Sequence, residues 1–385
     1  MRFDVVIVGG GLAGLALAVA LRQSRLSVAL VEERQSRKPQ GLDARLYAIS
    51  PANAAFLGEI GVWGHLERSR LCPVEAMEVH GDAGGRLDFS AYDAGASELA
   101  WIVEGATLSH ELRESAKRQA NLSLFCPARP GALELRADAA QLTLEDGRVL
   151  NAGLIVAADG ADSWTRAAAG MTVNFKHYGQ HGVVANFACA QPHRNAACQW
   201  FRDDGILAYL PLPGDQISMV WSTPAAHAEE LLALPAQALC ARVAAAGQQR
   251  FGDLQLITPA VAFNLRLMRA ERSIGPRLAL VGDAAHTIHP LSGHGVNLGF
   301  GDAQMLAQVL NERPEYIDCG DGFLLRRYER ARKEEVVALQ GVTDTLHRLF
   351  MPAWQPVSLL RNFGLNLTNR ASVIKDVLIR YALAS

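Results

Sequence analysis

The chain has 385 residues, half of them hydrophobic and a fifth charged, and its formal net charge is −2. This length predicts about two domains with enough apolar material for a core, and the near-neutral charge provides no general attraction to nucleic acid. No run of about 18 or more apolar residues predicts a membrane span.

The beginning of the chain predicts a strand, a turn, a helix and a second strand. Residues 4–8 (DVVIV) are typical of a short buried strand, residues 12–23 predict a helix, and residues 26–32 predict the next strand. Two further buried strands are predicted at 154–158 and 277–281. This order predicts an α/β fold with a Rossmann-like, three-layer nucleotide-binding domain.

The middle of the chain has a different pattern of apolar and polar residues. Residues 74–90 and 183–223 contain alternating apolar and polar positions separated by turn sequences, which predict an antiparallel, β-rich insertion. Residues 301–349 predict helices, with a charged stretch that indicates a solvated helix face.

A GxGxxG motif lies between the first strand and the first helix. Its glycines permit a tight turn, a close backbone approach to a pyrophosphate, and close packing of helix on strand, while the helix N-terminus supplies oriented N–H groups. Glu32 ends the second strand and can accept a hydrogen bond from a ribose hydroxyl, which favours FAD or NAD over a 2′-phosphorylated dinucleotide. The alternative is a glycine-rich turn without a ligand. The predicted cradle consists of Gly9, Gly11, Leu12, Ala13 and Gly14.

Two more motifs follow later strands: Asp159-Gly160 comes after the strand at 154–158, and Gly282-Asp283 comes after the strand at 277–281. With these ordered GxGxxG, DG and GD motifs, the chain resembles the class A FAD-dependent aromatic hydroxylases, the group related to para-hydroxybenzoate hydroxylase. Within that group, DARLYAIS, YGQ, AACQWFRDDGILAYLPLP and GDAAHTIHPLSGHGVNLGF are similar to segments of the ubiquinone-biosynthesis hydroxylases.

The resemblance implies that residues 282–300 form a loop facing the flavin of a bound FAD. Asp283 would hold the ribityl chain, and backbone at a helix N-terminus would contact the isoalloxazine ring. His289 and Pro290 are the candidate catalytic residues, because Pro290 would lie where substrate approaches the ring. Besides the cradle and Glu32, the implied cofactor-binding residues are Arg45, Asp159, Gly282, Asp283, Pro290, Gly293, Gly295, Val296 and Asn297.

Several other residues carry specific expectations. Tyr209, Leu210 and Trp221 are candidate substrate-lining residues, with plain sheet core as the alternative. Gly105 departs from the amide or arginine that the family usually has there, and His294 departs from the usual glutamine. We expect no metal site, because the histidines of the 282–300 loop lack a ligand spacing that suits one, and we expect His286 to form a structural hydrogen bond.

The implied function is FAD-dependent hydroxylation of a polyprenylated phenol or quinol ring in ubiquinone biosynthesis. O₂ would react through a C4a-hydroperoxyflavin, and NAD(P)H would be a transient reductant, which fits the single dinucleotide fingerprint. The alternatives are the same chemistry on a soluble aromatic compound, or a non-catalytic flavoprotein subunit of a biosynthetic complex. A halogenase is disfavoured because no WxWxIP motif follows the cradle.

The predicted FAD-binding domain is discontinuous and comprises residues 1–72, 97–175 and 274–345. The β-rich substrate domain comprises residues 73–96 and 176–273. The C-terminal helical segment, 346–385, contains a basic, apolar-periodic stretch that would contact a membrane surface or pack on the protein itself.

We expect a reducing compartment, because the six cysteines are scattered and form no CxxC motif, and no signal peptide, because the apolar N-terminus has no basic region beyond Arg2. These features predict a cytoplasmic protein that is peripheral to the inner membrane surface. Its partners would be a polyprenyl phenol or quinol, O₂ and other ubiquinone-biosynthesis proteins, without nucleic acid.

Overall fold

The computed structural model describes residues 1–35, 41–288 and 295–350, without the side chains of residues 177, 178 and 342–350. The helices are α1 (Leu12–Ala20), α2 (Pro51–Glu59), α3 (Gly105–Lys117), α4 (Trp164–Ala168), α5 (Ala225–Ala233), α6 (Ala236–Ala246), α7 (Gly295–Asn311) and α8 (Gly322–Phe350). The first strands are β1 (Arg2–Val8), β2 (Val28–Val31), β3 (Leu46–Ile49), β4 (Cys72–Val74), β5 (Ala76–His80), β6 (Arg86–Ser90), β7 (Ala100–Glu104), β8 (Leu122–Phe125), β9 (Pro130–Leu135) and β10 (Ala140–Leu144). The later strands are β11 (Val149–Ala157), β12 (Val173–Cys189), β13 (Ala196–Arg202), β14 (Gly205–Leu212), β15 (Gln216–Pro224), β16 (Leu254–Leu256), β17 (Val261–Ala270), β18 (Ile274–Gly275), β19 (Leu278–Leu280) and β20 (His286–Thr287).

The first sheet is the nucleotide-binding framework. β1 lies at its centre and pairs in parallel with β2 and β11, while β8 and β19 extend the parallel part on either side. Helices α1, α3 and α7 contribute to the apolar core on one face, and the antiparallel strands β9 and β10 contribute to the core on the other. This three-layer arrangement confirms the predicted Rossmann-like α/β domain.

The apolar run of β1 is explained by burial on both faces. Val5 and Ile7 pack into the helical core, whereas Val6 and Val8 pack into the opposite core. A central parallel strand covered on both sides has no solvent-facing side chains, so its sequence does not alternate with polar residues. The same reason accounts for the buried pattern of β2.

The second sheet is the predicted β-rich insertion. Its strand order is β20-β17-β12-β15-β14-β13-β5-β6, with β16 also pairing with β12. Helices α5 and α6 contribute to the core on one face. The other face contacts a small third sheet, β3-β7-β4, through a separate apolar cluster.

Some element boundaries differ from the sequence prediction. α1 ends at Ala20 rather than at residue 23, because the Ser24 hydroxyl donates to the Leu21 carbonyl (2.6 Å) and accepts from the Leu26 N–H (3.3 Å), which forms a turn before β2. β12 begins at Val173, slightly before the predicted domain boundary, and β20 joins the second sheet although its residues lie within the predicted FAD-binding segment.

The C-terminal prediction is only partly within the described residues. α8 extends to Phe350, so its last turn covers the start of the predicted helical segment, but residues 351–385 and their proposed membrane-contacting stretch lie outside the described part of the chain. Among the described helices, none combines the length and the apolar character that crossing a bilayer requires.

Candidate cofactor and active site

The GxGxxG turn has the geometry of a phosphate cradle. Gly9 has φ +110°, and a Cβ atom there would lie 2.3 Å from the Ala158 carbonyl oxygen. A Cβ atom on Gly14 would lie 2.1 Å from the Gly9 carbonyl oxygen, so helix and turn pack at a distance that only glycine permits. A Cβ atom on Gly11 would meet nothing within 4 Å, which leaves open space at the N-terminus of α1. The turn therefore fits a pyrophosphate.

Glu32 lies at the end of β2 and faces this turn. Its Oε2 accepts a hydrogen bond from the Gly10 N–H at 2.5 Å, and its Oε1 accepts from the Arg34 N–H at 2.8 Å. These bonds fix the carboxylate beside the cradle and leave it further acceptor capacity for a ribose hydroxyl.

The DG motif follows β11, and the carboxylate of its aspartate accepts hydrogen bonds from neighbouring residues. The Asp159 carboxylate accepts from the Thr165 N–H and hydroxyl, each at 2.9 Å, and from the Ser163 hydroxyl. Ser163 in turn caps α4 by accepting from the Arg166 N–H. Asp159 thus orders the loop after β11, and its side chain is engaged in that role.

The GD motif forms a single 3-10 turn after β19, with Gly282 at φ +62°. The Asp283 side chain is accessible to solvent, yet many protein atoms surround it. Desolvation by these atoms raises the pKa of its carboxyl, and the smaller effects of His286 and Arg45 lower it. The accessible space beside this carboxylate is the candidate cofactor cleft. This position suits the predicted contact with the ribityl hydroxyls.

A buried ionic cluster supports the GD turn from behind. Asp302 on α7 accepts from the Gly282 N–H at 2.9 Å, from His286 Nε2 at 2.7 Å and from Arg332 Nε at 2.7 Å. Burial raises the pKa of Asp302, but His286 and Arg332 outweigh it and leave the pKa below its ordinary value. His286 has the structural hydrogen bond expected of it. The sequence analysis did not identify Asp302 and Arg332. Their only sequence signal is their position in predicted helices, Asp302 in apolar α7 and Arg332 in charged α8.

Tyr47 explains the glycine at position 105. A Cβ atom on Gly105 would lie 2.8 Å from Tyr47 Cε2 and 3.2 Å from the Arg45 carbonyl oxygen, so the tyrosine ring occupies the space that a side chain at 105 would need. Desolvation by burial raises the pKa of the Tyr47 phenol, Arg45 lowers it, and Asp283 raises it. Tyr47 therefore belongs to the same cleft as the GD turn, and the sequence analysis did not identify it.

Arg45 is exposed at this cleft. Its guanidinium lies 5.2 Å from the centroid of the Phe263 ring on β17, in a cation–π arrangement. It also acts electrostatically on Asp283. The structure thus places Arg45 between the nucleotide-binding fold and the second sheet, where an anionic part of a bound dinucleotide can reach it.

The N-terminus of α7 lies beside the GD turn. Asn297 accepts from the Ser50 N–H at 3.1 Å and donates to the Ala48 carbonyl at 2.8 Å, so its side chain ties α7 to the junction of β3 and α2. Gly295 and Val296 are the first residues of α7, where backbone N–H groups have no acceptor within the helix, and their contact with the flavin stays a prediction. Four other predicted site residues, His289, Pro290, Gly293 and His294, lie outside the described residues.

The three predicted substrate residues lie on two different faces of the second sheet. Tyr209 and Trp221 are almost fully buried in the core formed with α5 and α6, and the Tyr209 hydroxyl donates to the Val243 carbonyl at 2.5 Å. Their positions are those of sheet core, and we propose no substrate contact for them. Leu210 points to the opposite face and packs against the cluster formed with the third sheet.

A cavity of about 250 Å³ opens on that opposite face, between the third sheet and the hairpin of β14 and β15. Leu46, Ile102 and Leu212 provide apolar walls. The lining also includes an ion pair, in which Glu104 accepts from Arg70 Nε and Nη2 at 2.8 and 2.7 Å. In the described ranges, no group of three or more His, Cys, Asp or Glu side chains could hold a metal ion.

Comparison with known proteins agrees with this geometry. The FAD binding domain family matches residues 2–341. Ubiquinone hydroxylase UbiL of Rhodospirillum rubrum is 34% identical over 99% of this chain and 90% of its own length. The 3-demethoxyubiquinol 3-hydroxylase of Escherichia coli is 33% identical over 99% of this chain and 98% of its own length. The crystal structure of p-nitrophenol 4-monooxygenase PnpA from Pseudomonas putida has the same fold, with a TM-score of 0.78 at 15% identity over 99% of this chain and 97% of that one.

The fold and the cradle define a flavoprotein of the FAD binding domain type. The chain belongs to the class A aromatic hydroxylase family, which confirms the resemblance carried by the three motifs, and it is a flavin-dependent aromatic monooxygenase. FAD is therefore its cofactor, and NAD(P)H is the reductant typical of the family.

Proposed function

We propose that this monooxygenase hydroxylates the ring of a polyprenylated phenol or quinol in ubiquinone biosynthesis. The observation that carries the proposal is the near-complete, 33–34% identical match to two hydroxylases named for ubiquinone or its demethoxy precursor. The apolar wall that Leu46, Ile102 and Leu212 give the cavity supports it, because a substrate with a hydrocarbon tail requires an apolar surface next to its ring.

The chain's own residues perform binding and orientation. The cradle at Gly11 and the N-terminus of α1 would hold the pyrophosphate, Glu32 would hold the adenosine ribose, and Asp283 would hold the ribityl chain. Bound FAD supplies the activation of O₂. The N–H groups at the start of α7 would stabilise negative charge on the pyrimidine end of the bound ring system.

The two facing sheets exclude water and position the substrate. The face of the second sheet that carries Leu210 packs against β3 and β7, and a substrate bound between them would close this space to water. Enclosure prevents the wasteful loss of activated oxygen to water and keeps the acceptor carbon close. His289 and Pro290 remain the proposed residues nearest the reacting ring, on the basis of the sequence.

The pathway is tested in the source organism. Deleting the gene should deplete ubiquinone and accumulate a polyprenyl phenol that lacks one ring oxygen, as measured by mass spectrometry of lipid extracts. Complementation with the wild-type gene should restore ubiquinone, and complementation with Gly14→Val, which removes the cradle, should not. Normal ubiquinone in the deletion strain would contradict the proposal.

The substrate class is tested with purified protein. A short-chain polyprenyl phenol should stimulate NAD(P)H oxidation and yield a hydroxylated product. Stimulation by soluble phenols alone would favour the soluble aromatic substrate, and absence of any stimulated O₂ uptake would favour a non-catalytic flavoprotein subunit.

Peripheral contact with the inner membrane on its cytoplasmic side also belongs to the proposal. Its support is the sequence at 356–385, where basic residues outnumber acidic ones and apolar residues recur at helical spacing. Full-length protein should float with vesicles containing anionic lipid, and a chain truncated after residue 350 should not. Equal flotation of the two chains would contradict the membrane contact and leave the hydroxylase proposal unaffected.

A further inference from the structure

Arg113 on α3 is a buried cation that lacks a strong partner. The residue is 7% exposed, and its Nε has no hydrogen-bond partner. Its two recorded contacts are weak: Nη2 lies 3.5 Å from the Gly10 carbonyl oxygen, and Nη1 lies 3.8 Å from Cys126 Sγ. No carboxylate in the described part of the chain lies within ion-pair distance of it. Burial of an uncompensated charge is costly, so an anion is expected beside it.

Three other buried arginines show what a satisfied guanidinium looks like in this protein. Arg166 donates to two carbonyl oxygens at 2.8 and 2.9 Å. Arg277 pairs with Asp318 at 2.6 Å, and Arg332 pairs with Asp302 at 2.7 Å. Arg113 differs from all three, so its lack of a partner is not a general property of buried arginines in this structure.

The position of Arg113 identifies the missing anion. Gly10 is the second residue of the Gly-rich turn, its carbonyl faces Arg113, and its N–H donates to Glu32. The guanidinium therefore lies against the turn at Gly10, one residue before Gly11, where the open space fits a pyrophosphate. α1 packs against α3, which holds the cation in this place.

We propose that Arg113 is the countercharge of the FAD pyrophosphate, acting from beside the Gly-rich turn. A cation and a phosphate a few ångströms apart in a partly buried site attract each other strongly, and salt screens such a pair less than a surface pair. Position 105, at the start of the same helix, has no side chain to contribute, because Tyr47 fills that space. Arg113 supplies a charged group from two turns further along α3.

ADP and adenosine are the probes that test this role, because they differ only in the phosphates. Binding of each to the apoprotein is measured by calorimetry for wild type, Arg113→Met and Arg113→Lys. Arg118→Met is the matched control, since Arg118 is exposed on the C-terminal side of α3. We expect Arg113→Met to weaken ADP binding roughly 10- to 100-fold and to leave adenosine binding within about threefold, because only the phosphates lose a charge partner.

Arg113→Lys should retain most of the ADP affinity, since it keeps the charge, and Arg118→Met should bind both probes as wild type does. The melting temperature of the Arg113→Met apoprotein should equal or exceed that of wild type, because an unpaired buried charge has been removed. Unchanged ADP affinity, an equal loss for ADP and adenosine, or an apoprotein that melts earlier or does not fold would each overturn the proposal and make Arg113 a structural residue.

Discussion

Gly105→Asn tests whether Tyr47 occupies the space that a side chain at position 105 requires. A Cβ atom at 105 would lie 2.8 Å from Tyr47 Cε2 and 3.2 Å from the Arg45 carbonyl oxygen. Carbon atoms in contact are about 3.5–4.0 Å apart, so the ring must withdraw by roughly 0.7–1.2 Å. Overpacking of this kind costs about 1–3 kcal/mol, and we expect the free energy of unfolding to fall by that amount.

A double-mutant cycle isolates the contact. Tyr47→Ala removes the ring, so Gly105→Asn in that background should cost less than it does in wild type, by about 1–2 kcal/mol. The assay is urea unfolding of the apoprotein, with the four proteins of the cycle measured side by side. Gly341→Asn on α8 is the matched control, because a Cβ atom there would meet nothing within 4 Å, and it should not lower stability.

The cycle also has a cofactor readout. FAD binding, followed by fluorescence titration of the apoprotein, should weaken in Gly105→Asn, because the displaced Tyr47 ring moves beside Arg45 and Asp283. The double variant should recover part of the lost affinity. Strictly additive free energies of unfolding, or a Gly105→Asn protein as stable as wild type, would refute the steric argument.

Three further predictions concern the motifs. Gly14→Val should abolish retention of FAD, because its Cβ would lie 2.1 Å from the Gly9 carbonyl oxygen, and a purified variant with the normal flavin absorbance would disprove the cradle. Asp283→Asn should lower FAD affinity yet raise the apoprotein melting temperature at pH 7. Burial raises the folded-state pKa of Asp283, so the ionised carboxylate destabilises the folded protein at pH 7, whereas the protonated carboxyl at low pH does not. The gain in melting temperature from Asp283→Asn should therefore shrink as the pH falls towards about 4. Asp302→Asn should lower the free energy of unfolding by about 3–5 kcal/mol at pH 7, because it removes the buried carboxylate that pairs with both Arg332 and His286. The pKa of Asp302 is lowered, so this loss should diminish as pH falls below about 4, and a pH-independent difference would contradict the assignment.

The cofactor loops could be predicted from the sequence because backbone conformation selects their residues. Gly9 and Gly282 have positive φ angles, and Gly14 is in a contact that excludes any Cβ atom, so each glycine reports a local constraint that is visible without the fold. The parallel strands around them are buried on both faces and are read as continuous apolar runs. Motif and strand together predict where the pyrophosphate binds.

The side-chain clusters could not be predicted, because their members come from distant parts of the chain. Asp302 and Arg332 lie on different helices, and neither has a neighbour in sequence that reveals the pairing. Tyr47 reaches Gly105 only because β3 pairs with β7, in a register that sets Tyr47 opposite Val103. Such pairs depend on tertiary register, and a single sequence contains no signal for it.

The alternating pattern of β14 was predicted correctly, but the sequence does not show which face of the strand is available to a substrate. Tyr209 and Leu210 are adjacent in β14, so they necessarily point to opposite faces of the sheet. The alternation in the sequence predicts two faces but does not say which one is covered by helices. In the structure α5 and α6 take the face of Tyr209, through its hydrogen bond to the Val243 carbonyl, and this leaves the face of Leu210 towards β3 and β7. The helices that follow β15 therefore determine which side of the sheet is available to a substrate.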